Sequence, residues 1–203
     1  MKKVLITLIA ITLTTVSSFA QYVITAGYSR TMFVNSYNET GYREKLPGNG
    51  AFVSATYSLP IGSGTFVTTG LRLDYVGSKD NGIATVLKDN WLFAGIPLML
   101  TNQHSIGSEM ALGASLGPTF TFGLLGKQQV FLNGNKVGEP IDLYEIDGIK
   151  RFDILVGANI YLELFSQLRI NVGYDVGLLN TSGYDSFKRR IQRLNVGLSY
   201  VIF

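Results

Sequence analysis

From residue 151 to 164 the chain reads R-F-D-I-L-V-G-A-N-I-Y-L-E-L. Phe152, Ile154, Val156, Ala158, Ile160, Leu162 and Leu164 form one set of alternate positions. Arg151, Asp153, Leu155, Gly157, Asn159, Tyr161 and Glu163 form the other. A helix would scatter the two sets around its circumference, whereas a strand puts them on opposite faces. The same period of two recurs over 168–179, where Leu168, Ile170, Val172 and Tyr174 alternate with Arg169, Asn171, Gly173 and Asp175. It recurs again over 109–124, where Met110, Leu112, Leu116, Phe120 and Phe122 alternate with Glu109, Gly113, Ser115 and Thr121. Weaker runs at 22–34, 50–59, 65–75, 91–101 and 191–203 bring the total to eight strands.

The clearest runs reach the roughly nine to eleven residues that a tilted strand needs to cross a bilayer, more than the about five or six of an average globular strand. Their apolar faces are almost uninterrupted, and their other faces are rich in Gly, Ser and Thr with a few charges. That suits lipid outside and a narrow, side-chain-filled lumen. Connections alternate in length: 35–49, 76–90, 126–150 and 180–190 are long and polar, and 60–64, 102–106 and 165–167 are short. Long extracellular loops and short periplasmic turns are the habit of outer-membrane barrels. An open sheet edge in hydrocarbon would strand backbone polar groups, so the sheet must close. The expected fold is an all-β, eight-stranded, antiparallel, up-and-down transmembrane β-barrel with both ends of the barrel domain in the periplasm.

Composition sharpens this picture. Hydrophobic residues make up 46% of the 203 and charged residues 15%, yet no run of about 18 apolar residues offers a membrane helix. Lys2 and Lys3, an apolar core over 4–16 and small residues ending at Ala20 read as a secretory leader, with cleavage before Gln21. The expected organisation is therefore a signal peptide at 1–20 and the barrel domain at 21–203, placed in the outer membrane of a Gram-negative bacterium. Without Lys2 and Lys3, the net charge of +3 falls to +1, which argues against a nucleic-acid partner. The chain has no Cys, so disulfides and Cys-ligated metals are excluded.

Three stretches resemble the small Bacteroidetes outer-membrane barrels of the PorT-like group. They are Ile96-Pro97-Leu98-Met99-Leu100 followed by a strand with Gly113 and Gly117, Phe152-Asp153 with Gly157, and Tyr174 with Gly177-Leu178 and Asn180 leading to a final strand that ends at Phe203. In one respect the chain departs: the final lipid-facing series runs to Ile202, so Phe203 falls one residue beyond it. The resemblance implies the barrel fold and an accessory role near a secretion machinery of the type IX kind.

The charges on the lumen-facing positions are Arg72, Asp74, Glu109, Arg151, Asp153, Glu163, Arg169, Asp175 and Arg193, four cations against five anions. So balanced a set in so narrow a lumen forms a salt-bridged structural plug or lines an ion path. Asp153 and Glu163 lie too far apart on one strand to act as an acid/base pair. His104, the only histidine, falls in a short periplasmic turn beside Ser105, far from outer-leaflet substrates and without the companions a metal needs. No phosphate-binding glycine motif occurs and no cofactor is expected. The 126–150 loop is the most distinctive surface. It reads as a small hairpin turning at Asn133-Gly134, able to engage a protein partner. These readings favour a non-enzymatic surface or scaffold protein acting through its loops. The alternatives are a narrow channel, a lipid-modifying barrel enzyme and a soluble lipocalin-like carrier, the last requiring polar outer faces.

Overall fold

A computed structural model describes residues 21–81, 85–145, 148–184 and 186–202. Residues 1–20, where a secretory leader is expected, and Phe203 lie outside the described residues. The strands are β1 (Gln21–Tyr37), β2 (Arg43–Gly62), β3 (Thr65–Asn81), β4 (Thr85–Ser105), β5 (Met110–Leu132), β6 (Asn135–Asp142), β7 (Phe152–Leu164), β8 (Leu168–Gly177) and β9 (Phe187–Ile202). All pair antiparallel in the order β4-β3-β2-β1-β9-β8-β7-β5, and β4 with β5 closes the ring. The ring therefore has the eight strands expected. The ninth, β6, lies outside it and pairs with the upper part of β5.

The ring is strongly staggered. Glu163 pairs with Arg169, then the register passes through Ser199, Thr25, Ser54, Arg72, Gly95 and Thr121. It returns to β7 at Asp153, ten residues from its start. With the usual strand spacing and rise, that stagger tilts the strands by about 40° to the barrel axis. The outer wall carries the apolar set: Ile160, Leu71 and Leu198 are each more than half exposed. Phe152 and Val156 also point outward, as the alternation requires. Residues so exposed and so apolar over the whole circumference need lipid around them.

The strands outrun the sequence expectation at the end bearing the long connections, here called the upper end. β1 and β2 pair as far as Ser36 with Arg43, so most of the expected 35–49 loop is strand. β3 and β4 likewise extend through Lys79 and Lys88. Charged residues in these extensions hid them from a reading based on lipid-facing apolarity, yet above the bilayer they cost nothing. The wall is uneven: β1 to β5 run 17 to 23 residues, whereas β7 and β8 have 13 and 10.

The β5–β6 hairpin turns where expected. Asn133 and Gly134 both adopt positive φ, 48° and 84°, the backbone of a two-residue turn whose twist matches its strands. We expect Gly134→Ala to cost about 1–2 kcal/mol locally, because a Cβ disfavours that region. Hydrogen exchange at the β6 amides should quicken while the global unfolding midpoint stays put. A shifted midpoint would mean that the hairpin is part of the cooperative barrel rather than an appendage.

Candidate functional site

The lumen is layered. At its lower end the β7–β8 hairpin sets Glu163 directly opposite Arg169, and Nε of Arg169 donates to Glu163 at 2.6 Å. Arg169 also donates to Gln21 and Gln103 at 2.9 and 3.3 Å. Tyr161 donates to Gln103 at 3.1 Å and lies beneath the Arg169 guanidinium. Gly113 faces this tyrosine, and a Cβ there would stand 2.1 Å from the ring. The missing side chain is what admits the aromatic to the lumen.

Above this layer lies a polar chamber of about 150 Å³, lined by hydroxyls and amides. They bond one another in chains, including Thr25 with Ser199 at 2.8 Å and Ser58 with Thr68 at 2.8 Å. Its roof is charged. Arg193 donates to Asp74 at 2.9 Å and Arg72 donates to the same carboxylate at 2.7 Å. Arg72 continues to Asn195 at 2.7 Å, and Asn195 donates to Asp175 at 2.7 Å. Two cations and two anions thus neutralise each other where Asp74 and Arg193 are each only 1% exposed.

The uppermost layer is apolar. Phe33, Val76, Trp91, Phe93, Leu143, Ile149, Leu155 and Ile191 form one buried cluster inside the ring. Leu143 and Ile149 come from the connection after β6, which folds back into the mouth. Trp91 packs against Phe33 at 5.3 Å and edge-on against Tyr144 at 5.8 Å. Arg189 lies over both Phe33 and Trp91 at 4.7 and 4.9 Å. Burial pushes the Tyr144 phenol up to about 12.

Seven of the nine charged residues read from the sequence point inward: Arg72, Asp74, Asp153, Glu163, Arg169, Asp175 and Arg193. Four meet in the roof and two at the lower end. Asp153 stands apart, its Oδ1 accepting the amides of Ile154 and Leu179. Two placements need correction. Glu109 is an exposed turn residue, because β5 starts at Met110. Arg151 precedes β7 and sits half-buried at the mouth, donating to the Gly123 carbonyl at 3.3 Å and stacking over Tyr144. The apolar plug and the buried Arg189 went unread. Their signal was present as aromatic and aliphatic residues at inward positions, such as Trp91, Phe93 and Leu155, within otherwise polar series. His104 is exposed near the lower end of β4.

A closed, strongly tilted ring with an apolar exterior and a polar, plugged interior defines a small transmembrane β-barrel of the outer-membrane type. Among solved structures the chain is similar to Ail, the attachment invasion locus protein of Yersinia pestis, at 14% identity, covering 90% of this chain and 99% of that one with a TM-score of 0.43. It is similar to Neisserial surface protein A at 13%, covering 88% and 96% with a TM-score of 0.43. It is also similar to the outer membrane protein OprG of Pseudomonas aeruginosa at 10%, covering 90% and 96% with a TM-score of 0.40. The likeness is one of strand layout and carries no activity with it. No protein-family model and no curated protein matches the chain.

Proposed function

We propose that the chain is a non-enzymatic surface protein of a Gram-negative outer membrane that acts from its upper, extracellular end. One observation carries this reading: the apolar plug shuts the upper lumen while β1 to β5 rise well beyond the length a bilayer requires. With the interior closed, the projecting wall and the β5–β6 hairpin are the surface left to engage a partner. Pro140 and the positive φ of Gly138 interrupt the outer edge of β6, so the arm offers side chains more than an open ladder. The resemblance to PorT-like barrels supports the finer reading of an accessory beside a secretion machinery.

A photo-crosslinking residue at Lys136 in native membranes should trap a discrete protein product, lost when the hairpin is shortened. A diffuse smear, or the same product from a crosslinking residue placed at His104 at the lower end, would count against the arm as contact surface. The polar lower chamber favours a channel as the second reading. Planar-bilayer recordings of the purified barrel decide between them: steady unitary conductance would overturn the closed-lumen view.

A further inference from the structure

The outer wall sorts charge by face. On β2, β1 and β9 the outward positions near the upper rim are occupied by Arg30, Arg43, Lys45, Lys188 and Arg190. On β3, β4 and β5 they are Lys79, Lys88 and Lys127. No Asp or Glu occupies an outward position on any of the eight ring strands among the described residues. The rim acids Glu44, Asp80 and Asp89 take inward register positions: Glu44 bonds Asn35, Asp89 bonds Ser78 and Gln128, and Asp80 is exposed next to Lys79. The lower half of the outer wall has no Lys or Arg among the described residues.

Lys79 and Lys88 stand directly opposite each other in the β3–β4 register, with Lys79 exposed and Lys88 resting over the Phe131 ring. Like charges so placed repel, a cost that a bound anion would reverse. They flank a cleft of about 370 Å³, shared with Pro47, Asn49, Asn90 and Asp89, whose carboxylate accepts from Ser78 and Gln128. Asn90 also borders a second groove of about 330 Å³, walled by Tyr75, Leu92, Leu125 and Pro140 and almost wholly apolar. Lys127 lines that groove too, partly answered by Asp142 opposite it on β6. An apolar trough continuous with the lipid-facing wall, opening beside a paired-lysine cleft, matches an amphiphile with an acyl chain and a phosphorylated head.

We infer that the β3–β4–β5 face is a binding site for a phosphorylated, acylated lipid of the leaflet at the long-loop end, its phosphate held between Lys79 and Lys88 and a chain lying along Leu92 and Leu125. The inference rests on the proposed outer-membrane placement only for the choice of lipid, and it is independent of any loop partner. The test uses the full barrel refolded in detergent, titrated with bisphosphorylated lipid A and followed by native mass spectrometry. Saturable binding is expected, weakened about thirtyfold in Lys79→Gln/Lys88→Gln, as two basic residues at an anionic membrane surface should contribute. Dephosphorylated lipid A and inorganic pyrophosphate should each bind far more weakly. Lys136→Gln/Lys150→Gln, which removes two exposed loop cations, should leave the affinity unchanged, and heat-modifiability on gels verifies that each variant is folded. The site is overturned by equal binding in Lys79→Gln/Lys88→Gln, by equal losses in both pairs of variants, by undiminished binding of the dephosphorylated lipid, or by pyrophosphate binding as tightly as lipid A.

Discussion

Asp74→Asn is expected to destabilise the barrel by about 3–5 kcal/mol, the range for removing one partner of a buried ion pair. Asp74 accepts from Arg193 and Arg72 at once, and all three sit where water has little access. The amide keeps the shape but removes the carboxylate that both guanidiniums engage, and two cations are then left in a narrow polar core. Arg193→Met should cost less, because Arg72 still neutralises Asp74. Combining the two should cost less than their sum, by about 0.5–3 kcal/mol, since each disrupts the same contact. Urea titration of the refolded barrel in phospholipid vesicles measures all three, with Trp91 as the sole fluorescent tryptophan. Strict additivity would mean that the roof is held by its neighbours rather than by its own charges.

The alternation of apolar and polar positions makes the ring legible in the sequence itself. Phe152, Ile154 and Val156, or Leu194, Leu198 and Ile202, can satisfy a strand only by facing a common side, and the uninterrupted apolarity of that side leaves lipid as its surroundings. Charged inward residues were legible for the same reason, which is how Arg72, Asp74 and Arg193 came to be grouped. Their partners were not. Arg72 and Arg193 are 121 positions apart, and only the ten-residue stagger brings them to one level. The strand extensions were hidden because lipid-facing apolarity stops at the bilayer while hydrogen-bonded pairing does not. Glu109 was misplaced because alternation extends formally into a turn: parity assigns a face but does not say where pairing ends. The apolar plug was hidden because inward aromatics break the polar series that had defined the lumen face, and its Leu143 and Ile149 come from a connection with no period at all.

The stagger also explains why charge and grease can share one lumen. Inward residues of neighbouring strands climb the barrel along the tilt, so each layer draws on several strands. The Glu163–Arg169 pair and the Asp74 cluster lie at two levels, and the hydroxyl-lined chamber separates them. Each charged layer can then be neutral by itself, as the Glu163–Arg169 pair and the Asp74 cluster are. An apolar cap above the roof excludes water from those charges, which strengthens their attraction while raising the penalty for losing a partner.

Phe33→Ala tests that cap. Phe33 is 2% exposed, packs at a tilt against Trp91 and lies beneath the Arg189 guanidinium. Its removal leaves a void inside a rigid ring, whose closed hydrogen-bonding prevents the walls from collapsing inward. The expected loss is about 3–5 kcal/mol, the transfer term plus the cavity term. Water entering the void should shift Trp91 emission to the red in the folded state. Phe122→Ala supplies the contrast, since Phe122 points outward and is 48% exposed. Acyl chains close over the gap there, so only the transfer share of about 1.5–3 kcal/mol is lost and Trp91 emission should not move. If Phe33→Ala left the emission unchanged, Trp91 would already be wet, and the upper lumen could not be the seal from which an outward-acting surface protein was inferred.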